Sequence, residues 1–324
     1  MSNIDLILQA QKYGKDYIYK TPLLFNSRVN QIVGKNIFIK PECLQVTGSF
    51  KFRGAWCAIS QLKNENKISN GVVAYSSGNH AQGVAAASKV LGIHSIIVMP
   101  QDAPKQKISS TINYNAEVCF YNRYTEIREE IGENIAIEKK LTLIKPYDED
   151  LVIAGQGTCG LEIIDQSKKL GLDKAEVLVC CGGGGLSAGI SLALEKFAPS
   201  FKLRTCEPEF YDDTARSLKS GKREINENKY SSICDAILTP TPGELTFPIL
   251  KRNAGEGLVV TDSEVLQAMK FLYQHYKIVS EPGGAVAAAA AIFLKHKIKE
   301  KNIIVVVSGG NVDSEIFSKA ISEK

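Results

Sequence analysis

Four consecutive glycines, Gly182, Gly183, Gly184 and Gly185, stand between an apolar run at 177–181 and a helix-like segment that begins near Leu186. Glycines let backbone N–H groups converge on a phosphate without obstruction by a Cβ atom, and the N-terminus of the following helix adds a partial positive charge. A plain turn would not need four glycines. This glycine loop (182–185) is predicted to bind phosphate, because strand, glycine run and helix follow in the required order.

The glycine loop by itself does not identify the phosphate compound. Gly183, Gly185 and Ala188 satisfy the dinucleotide fingerprint G-x-G-x-x-A, and Glu207 ends a later predicted strand at a distance that suits a ribose-binding carboxylate. A nicotinamide (NAD) dependent oxidoreductase is therefore one hypothesis. A Walker-type loop is excluded, since no Lys-Ser/Thr pair follows the glycines.

Lys51 supports a different compound, pyridoxal 5′-phosphate (PLP). It follows Thr47 and Gly48 at a predicted junction between a loop and a helix. Burial and a nearby helix N-terminus both disfavour an ammonium group, and a lysine with a lowered pKa can attack a carbonyl to form a Schiff base. A single lysine between aromatic residues is nevertheless more often an ordinary surface side chain. The surrounding sequence has to decide between these interpretations.

Short β-branched runs alternate with helix-like segments along the chain, which predicts an α/β fold. The helices are long enough to return the chain for parallel strand pairing. An alanine-rich segment at 283–297 is predicted to be a helix buried in the core. The predicted strands cover 36–40, 72–75, 95–99, 117–121, 141–145, 177–181, 202–207 and 303–308, and the other predicted helices cover 81–91, 123–139, 157–170, 186–197 and 262–277.

The composition is that of a globular, enzyme-sized protein, with 324 residues, 44% of them hydrophobic and 23% charged. The net charge of +4 is spread along the chain, unlike the clustered charge of nucleic-acid binding proteins. The eight cysteines form no CxxC pair, the N-terminus has no basic signal region, and the longest apolar stretch, 285–294, is too short to cross a bilayer. We therefore expect a cytoplasmic protein without a nucleic-acid or membrane partner.

Five motifs along the chain resemble the serine/threonine dehydratase and serine racemase family of fold-type II PLP enzymes, and they are most similar to those of the serine racemases. The resemblance runs nearly the whole chain and the motifs occur in family order. They are Ser49-Phe50-Lys51-Phe52-Arg53-Gly54-Ala55, Ser76-Ser77-Gly78-Asn79-His80, Ala154-Gly155-Gln156-Gly157-Thr158, the glycine loop and Ser308-Gly309-Gly310-Asn311.

The resemblance implies a fold like that of the tryptophan synthase β chain, with two open, twisted, mostly parallel sheets flanked by helices. A small domain at 71–148 would be inserted into a large PLP-binding domain formed by 1–70 and 149–324. The family commonly forms homodimers, so a homodimer is expected here as well. The expected partner is a small amino-acid substrate.

The resemblance also implies which residues hold PLP. Lys51 would carry the cofactor, Phe50 would pack beside it, Asn79 would bind the ring hydroxyl and the glycine loop would bind the phosphate. Ser308 would face the pyridine nitrogen, where a neutral hydroxyl gives a weaker electron sink than a carboxylate and suits rapid β-elimination. Tyr147 stands at a cofactor-side position where the racemases have asparagine. From the residues alone, Asn79 and Ser308 could instead cap helices.

The resemblance implies a serine racemase that also acts as an ammonia-lyase on L-serine and hydroxyaspartate. The Lys51 amine would remove the Cα proton, and Ser77 would supply the acid/base group on the opposite face that racemisation needs. Typical threonine dehydratases have alanine at that position. A serine/threonine dehydratase without significant racemisation is the alternative, because Ser77 could also serve only in packing or capping.

Several further residues match the substrate side of the family's site. Arg128, in the predicted helix 123–139, has a planar guanidinium that suits a carboxylate, although a single helix arginine is usually solvated. If it reaches a side-chain carboxylate, hydroxyaspartate is a candidate substrate beside serine. The predicted substrate residues are Ser76, Ser77, Asn79, His80, Arg128 and Thr239.

Two more binding sites follow from the resemblance. Glu207, Asp213 and the Tyr211 carbonyl match a divalent-cation site, whose hard oxygen ligands suit Mg²⁺, Mn²⁺ or Ca²⁺, and this gives Glu207 a second interpretation. A match to the nucleotide site of mammalian-type racemases implies ATP as an activator, but Val46 stands where those proteins have lysine. The matching nucleotide positions are Asn26, Ser27, Thr47, Gln82, Tyr114, Lys277 and Asn311.

Overall fold

Two sheets organise the chain in a computed structural model, which describes residues 2–76, 78–103, 105–227 and 230–322. The predicted class, α/β with two open and mostly parallel sheets flanked by helices, is confirmed. The strands are β1 (Leu24–Phe25), β2 (Asn36–Pro41), β3 (Val72–Tyr75), β4 (Ser95–Pro100), β5 (Glu117–Tyr121), β6 (Thr142–Leu143), β7 (Ala175–Cys180), β8 (Phe201–Pro208), β9 (Leu258–Val260) and β10 (Asn302–Val307).

The larger sheet has six strands in the order β1-β2-β10-β7-β8-β9. All neighbours pair in parallel except β1 and β2, which are antiparallel. β10 and β7 occupy the middle, with Val305 opposite Leu178 and Val306 opposite Val179. These central strands are apolar on both faces because helices cover both sides of a parallel sheet.

The smaller sheet has four parallel strands in the order β5-β4-β3-β6, and all of them lie between Val72 and Leu143. β3 and β5 have the predicted bounds, whereas β6 is limited to Thr142–Leu143 within the predicted 141–145. Both sheets direct the carboxyl ends of their strands toward polar loops. In open α/β sheets such ends form ligand sites.

The helices lie on both faces of the sheets, and most coincide with predicted segments. The alanine-rich helix α12 is buried as predicted but ends at Phe293, and Lys295–Lys297 form a separate 3-10 turn. The helices are α1 (Ile4–Gly14), α2 (Ser27–Val33), α3 (Lys51–Asn64), α4 (Asn79–Leu91), α5 (Lys105–Asn113), α6 (Arg128–Lys139), α7 (Asp150–Lys169), α8 (Gly185–Phe197), α9 (Asp213–Ser220), α10 (Thr246–Asn253), α11 (Asp262–Tyr276), α12 (Pro282–Phe293) and α13 (Ser314–Ser322).

Two helix starts were predicted wrongly. α6 begins at Arg128 instead of 123, because the Asn122 side chain accepts a hydrogen bond from the Tyr124 N–H and the Asn122 N–H donates to the Glu126 side chain, which forms a turn there. α7 begins at Asp150 instead of 157, so the Ala154-Gly155-Gln156-Gly157-Thr158 motif is helical. Its glycines permit close helix packing, since a Cβ on Gly155 would lie 2.6 Å from the Arg53 carbonyl oxygen.

A buried ionic network fixes α3 to the large sheet. The Arg53 Nε lies 2.6 Å from a Glu42 carboxylate oxygen, and its Nη1 lies 2.8 Å from Glu162 on α7. The Lys40 Nζ is 2.6 Å from the other Glu162 oxygen. Two cations thus meet two carboxylates, which satisfies the requirement that buried charges are paired. The network holds the helix that begins with Lys51.

None of the helices in the described ranges combines the length and the apolar character that crossing a membrane requires. The eight cysteines are free thiols, and all but Cys119 are buried. Buried thiols of this kind behave as small apolar side chains.

Candidate active site

One cavity lies where the two sheets meet, at the carboxyl ends of their strands. Ser76 follows β3, the glycine loop follows β7 and Ser308 follows β10, and all three line the cavity. The predicted cofactor residues Phe50, Lys51, Asn79, Tyr147, Gly182, Gly183, Gly184, Gly185 and Ser308, together with the predicted substrate residues Ser76, His80, Arg128 and Thr239, are brought together here. Ser77 lies outside the described residues.

Lys51 is the first residue of α3, at the predicted junction of loop and helix. Its Nζ donates a hydrogen bond to the Pro146 carbonyl oxygen at 2.7 Å and lies 5.2 Å from the centre of the Phe50 ring. Burial lowers the pKa of Lys51 to about 8. The amine is therefore partly neutral near physiological pH, as nucleophilic attack on a carbonyl requires.

The loop before Lys51 is tied to the loop after β10. The Phe50 N–H donates to the Ser308 carbonyl at 3.0 Å, and Ser49 forms a bridge with Gly309. Ser308 cannot cap the next helix, because α13 begins only at Ser314. The capping interpretation of Ser308 is therefore wrong.

The glycine loop leaves no room for side chains. A Cβ on Gly183 would overlap the Tyr147 ring, and a Cβ on Gly182 would lie 3.1 Å from the Ile237 backbone. Gly184 has φ +90°, a conformation that favours glycine, and the Thr246 hydroxyl donates to the Gly183 carbonyl at 2.7 Å. The loop leads directly into α8, whose first N–H groups are free to bind an anion. These features fit the phosphate of PLP.

Asn79 begins α4, but its side chain does not cap that helix, so the capping interpretation is wrong here as well. Its Nδ2 donates to the Glu281 carboxylate at 2.5 Å, and its Oδ1 accepts from the Asn311 Nδ2 at 2.8 Å. Burial raises the pKa of Glu281 to about 7. The Asn79 amide is thus fixed at the cavity by contacts with two other segments of the chain.

His80 is neutral, because burial lowers its pKa to about 3. Its Nε2 lies 2.9 Å from the Ile144 carbonyl oxygen, which can only accept, so the proton is on Nε2. The Nδ1 lone pair is buried and has no hydrogen-bond partner within the described part of the chain, and the same holds for the Thr239 hydroxyl. Both atoms are suited to accept a hydrogen bond from a ligand.

Arg128 begins α6 and borders the cavity. Its Nε donates to Glu129 at 2.8 Å, and its guanidinium lies 5.7 Å from the centre of the Tyr75 ring. These two contacts fix the orientation of the guanidinium plane. Its terminal N–H groups provide a charged fork for a carboxylate.

The predicted metal residues are not part of this cavity. The Glu207 carboxylate accepts the Thr214 and Ala215 N–H groups at 2.8 Å each, at the start of α9. Asp213 accepts from Asn226 through Oδ1, while its Oδ2 is buried without a partner among the residues described. Burial raises the pKa of both carboxyl groups, that of Asp213 to about 7. An unpaired buried oxygen beside a second carboxylate fits a cation, although no group of three His, Cys, Asp or Glu side chains in the described ranges is placed to hold one.

The predicted nucleotide positions are only partly brought together. The Asn311 Nδ2 donates to the Thr47 carbonyl at 2.8 Å, and Asn311 and Gln82 line a second cavity next to the first. The Asn26 side chain caps α2, which begins with Ser27, and donates to the His275 carbonyl near Lys277. Tyr114 follows α5, with its ring centre 6.0 Å from the Lys89 Nζ.

Several cavity residues were not predicted as site residues. Their contacts join distant segments, as in the 2.8 Å ion pair between Lys107 and Asp235, so no local pattern marks them. Gln156 is different, because it lies inside a motif that the sequence shares with the family. The unpredicted lining residues used below are Lys107, Pro146, Gln156, Asp235 and Glu281.

Comparisons with known proteins agree with this site. Residues 15–309 match the family described as "Pyridoxal-phosphate dependent enzyme". The "L-threo-3-hydroxyaspartate ammonia-lyase" of Saccharomyces cerevisiae is 41% identical over 318 residues, which cover 98% of this chain and 96% of the relative. The "Serine racemase" of Schizosaccharomyces pombe is 40% identical over 319 residues, covering 98% and 97%. The structure of maize serine racemase has a TM-score of 0.90 at 35% identity, covering 99% of this chain and 97% of that one.

The nicotinamide hypothesis is wrong, since the family match assigns a different cofactor. The predicted family resemblance is confirmed over nearly the whole chain. A buried lysine of lowered pKa that lines the same cavity as a glycine loop fits PLP. The chain therefore belongs to the family of pyridoxal-phosphate dependent enzymes.

Proposed function

We propose that this enzyme interconverts L- and D-serine and eliminates the hydroxyl group of L-serine and hydroxyaspartate with release of ammonia. The observation that carries the proposal is the presence, in one cavity, of the buried Lys51 amine and the Arg128 guanidinium. An amine of this kind can take a proton from Cα, and a guanidinium can bind a carboxylate. Relatives named as racemase and as ammonia-lyase, both about equally similar to the chain, support the two activities.

The residues that would hold PLP are Lys51, Phe50, Asn79, Tyr147, the glycine loop and Ser308. When bound, PLP withdraws electrons from the amino acid and so acidifies its Cα proton. We assign removal of this proton to Lys51, because a pKa of about 8 lets the amine exist in its basic form near neutral pH. The Pro146 carbonyl orients the Nζ atom without adding a charge.

Ser77 is proposed as the proton donor on the opposite face of the substrate. A racemase has to return the proton to the other side of Cα, which a single lysine cannot do. The proposal rests on the sequence, in which a serine stands where typical threonine dehydratases have alanine.

The substrate is proposed to be held by Ser76, Asn79, His80, Arg128 and Thr239. The His80 Nδ1 and the Thr239 hydroxyl, which have no hydrogen-bond partner among the described residues, suit the hydroxyl donor of a hydroxy-amino acid. Arg128 suits a carboxylate, and a dicarboxylic substrate such as hydroxyaspartate offers a second one.

We further propose that Mg²⁺, or Mn²⁺ or Ca²⁺, binds Glu207, Asp213 and the Tyr211 carbonyl. The buried and unpaired Asp213 Oδ2 supports this site. ATP is proposed as an activator near Thr47, Gln82 and Asn311. The family resemblance supports a homodimer and a small domain at 71–148, and the scattered cysteines without a CxxC pair support a cytoplasmic location.

A dehydratase without significant racemisation is the second candidate. Tyr147 favours it, because the residue stands where the racemases of the family have asparagine and its ring covers the glycine loop. A bulky ring at this position restricts the space around the cofactor.

Chiral product analysis distinguishes the two candidates. Purified holoenzyme is incubated with L-serine, with and without Mg²⁺ and ATP, and D-serine and the keto acid are measured together. Both products are expected, and each should increase with Mg²⁺. Formation of the keto acid without D-serine would establish the dehydratase. If neither product formed, the proposal would be rejected.

A further inference from the structure

Gln156 has a buried side-chain amide to which no role in the active site has been assigned above. It lies within α7, its side chain is 1% exposed, and it lines the cavity. Neither Nε2 nor Oε1 has a hydrogen-bond partner among the described residues. Buried amides without partners are rare in folded proteins, and where they border a cavity they indicate a bound polar group.

At Gln156 and Gly157, α7 packs closely against two other helices. On one side is α3, where a Cβ on Gly54, one turn after Lys51, would lie 2.9 Å from the Gln156 Cδ. On the other side is α8, where a Cβ on Gly189 would lie 3.0 Å from the Gly157 Cα. α8 is the helix that starts at the glycine loop. The Gln156 amide therefore lies against the helix of the cofactor lysine, in the cavity that the glycine loop also lines.

The glycine loop itself provides only backbone groups to the cavity, and the neighbouring side chain is the uncharged Tyr147. The glycine loop offers N–H groups, whereas the charged lining residues Lys107, Arg128 and Asp235 come from α5, α6 and the 3-10 turn Asp235–Ile237. A phosphate group has several acceptor oxygens and binds donors more strongly than a neutral acceptor does. A side-chain amide in the same cavity can supply a further donor.

We propose that Gln156 binds the phosphate of PLP through its Nε2–H, as a side-chain ligand in addition to the glycine loop. This role depends on the cofactor and not on which amino acid is the substrate. The proposed role of Gln156 also explains why position 54 is a glycine, since a larger residue there would displace the Gln156 amide. The polar residue within the Ala154-Gly155-Gln156-Gly157-Thr158 motif thereby has a function, while its glycines serve helix packing.

The test compares PLP with pyridoxal, which lacks the phosphate. PLP is first removed from the holoenzyme, and the resulting apoenzyme is then reconstituted with PLP or with pyridoxal. The Kd of each compound is measured by absorbance. The variant Gln156→Met keeps the length of the side chain and removes the donor, and the surface variant Gln267→Leu on α11 is the matched control. We expect Gln156→Met to raise the Kd of PLP about tenfold and that of pyridoxal less than twofold, as loss of one charge-assisted hydrogen bond requires.

A second variant and a spectroscopic measurement separate this role from a folding defect. Gln156→Glu places a carboxylate beside the phosphate, so the Kd of PLP should rise further, by about a hundredfold, while pyridoxal still binds. The ³¹P resonance of bound PLP should shift in Gln156→Met and not in Gln267→Leu. Equal loss of PLP and pyridoxal binding would overturn the proposal, and so would an unchanged Kd of PLP with a raised KM, which would indicate a substrate contact.

Discussion

The Nζ of Lys51 donates a hydrogen bond to the carbonyl oxygen of Pro146 at 2.7 Å, across a sequence separation of 95 residues. A carbonyl has no net charge, so it orients the nitrogen and favours the ammonium form less than a carboxylate would. Burial then determines the protonation state and lowers the pKa of Lys51 to about 8. The result is an amine that is both held in place and partly deprotonated.

The first prediction concerns the pH dependence of cofactor capture. Only the neutral amine attacks a carbonyl, so the rate at which apoenzyme captures PLP should rise as pH increases through about 8. Stopped-flow absorbance measures this rate. A rise centred near the ordinary lysine pKa of about 10.4 would contradict the buried environment. Lys51→Ala should show no lysine-bound cofactor at any pH.

The second prediction concerns Ser77. Ser77→Ala should reduce the formation of D-serine from L-serine by about a hundredfold or more, the usual effect of losing an acid/base group. Elimination should stay within a few-fold of the wild-type rate, because it needs a base on one face only. Chiral chromatography and keto-acid detection measure the two rates in one sample. Equal loss of both activities would mean that Ser77 has a structural role.

The third prediction concerns Arg128. Arg128→Met should lower kcat/KM for hydroxyaspartate about 10- to 100-fold more than kcat/KM for L-serine, because a charged hydrogen-bond donor to the extra carboxylate is lost. Arg123→Met is the matched control, since Arg123 pairs with Asp102 at the surface. An equal loss for the two substrates would assign Arg128 to the carboxylate that both share.

The fourth prediction concerns the cation site. At a Mg²⁺ concentration one hundred times the Kd of the site, the unfolding free energy of the wild type should rise by about 2.7 kcal/mol. Asp213→Asn should abolish this gain. Without metal the variant should be at least as stable as the wild type, because burial opposes the charge of Asp213. Thermal unfolding with and without Mg²⁺ measures both effects, with Asp212→Asn as control. A variant that keeps the full stabilisation by Mg²⁺ would place the cation elsewhere.

The fifth prediction concerns the buried ionic network. Arg53→Met leaves the carboxylates of Glu42 and Glu162 without their main partner and should cost about 3–5 kcal/mol of unfolding free energy. Urea denaturation measures this loss. The double variant Arg53→Met with Glu42→Gln should recover part of it, since one uncompensated charge is then removed. A loss below about 1 kcal/mol would show that water relieves the unpaired charges.

Motifs that are continuous in sequence allowed much of the site to be predicted. The glycine loop and the string around Lys51 carry their chemistry in neighbouring residues, and β3 and β5 are apolar runs with clear ends. The start of α7 was missed because glycines usually indicate a loop. Gly155 instead allows two helix backbones to touch, which only the packed structure reveals.

Contacts between distant segments could not be predicted in this way. Asn79 bonds to Glu281, and Lys107 pairs with Asp235, yet in each case the partners are separated by more than a hundred residues. No local pattern marks Glu281, Lys107 or Asp235. The same holds for the network of Arg53, whose partners come from the 3-10 turn after β2 and from α7. Such pairs depend on how the sheets and helices are assembled, and not on the local propensity of either segment.

The central position of β10 has a consequence for biosynthesis. This strand is made last among the strands of its sheet, yet it pairs with β2 on one side and β7 on the other. A nascent chain on the ribosome therefore cannot close the large sheet, or bring Ser308 beside Phe50, until β10 and Ser308 have been translated. Pairing across so long a sequence separation is slow to form. A chain that still lacks β10 thus has a gap between β2 and β7 in the large sheet, and its cavity lacks Ser308.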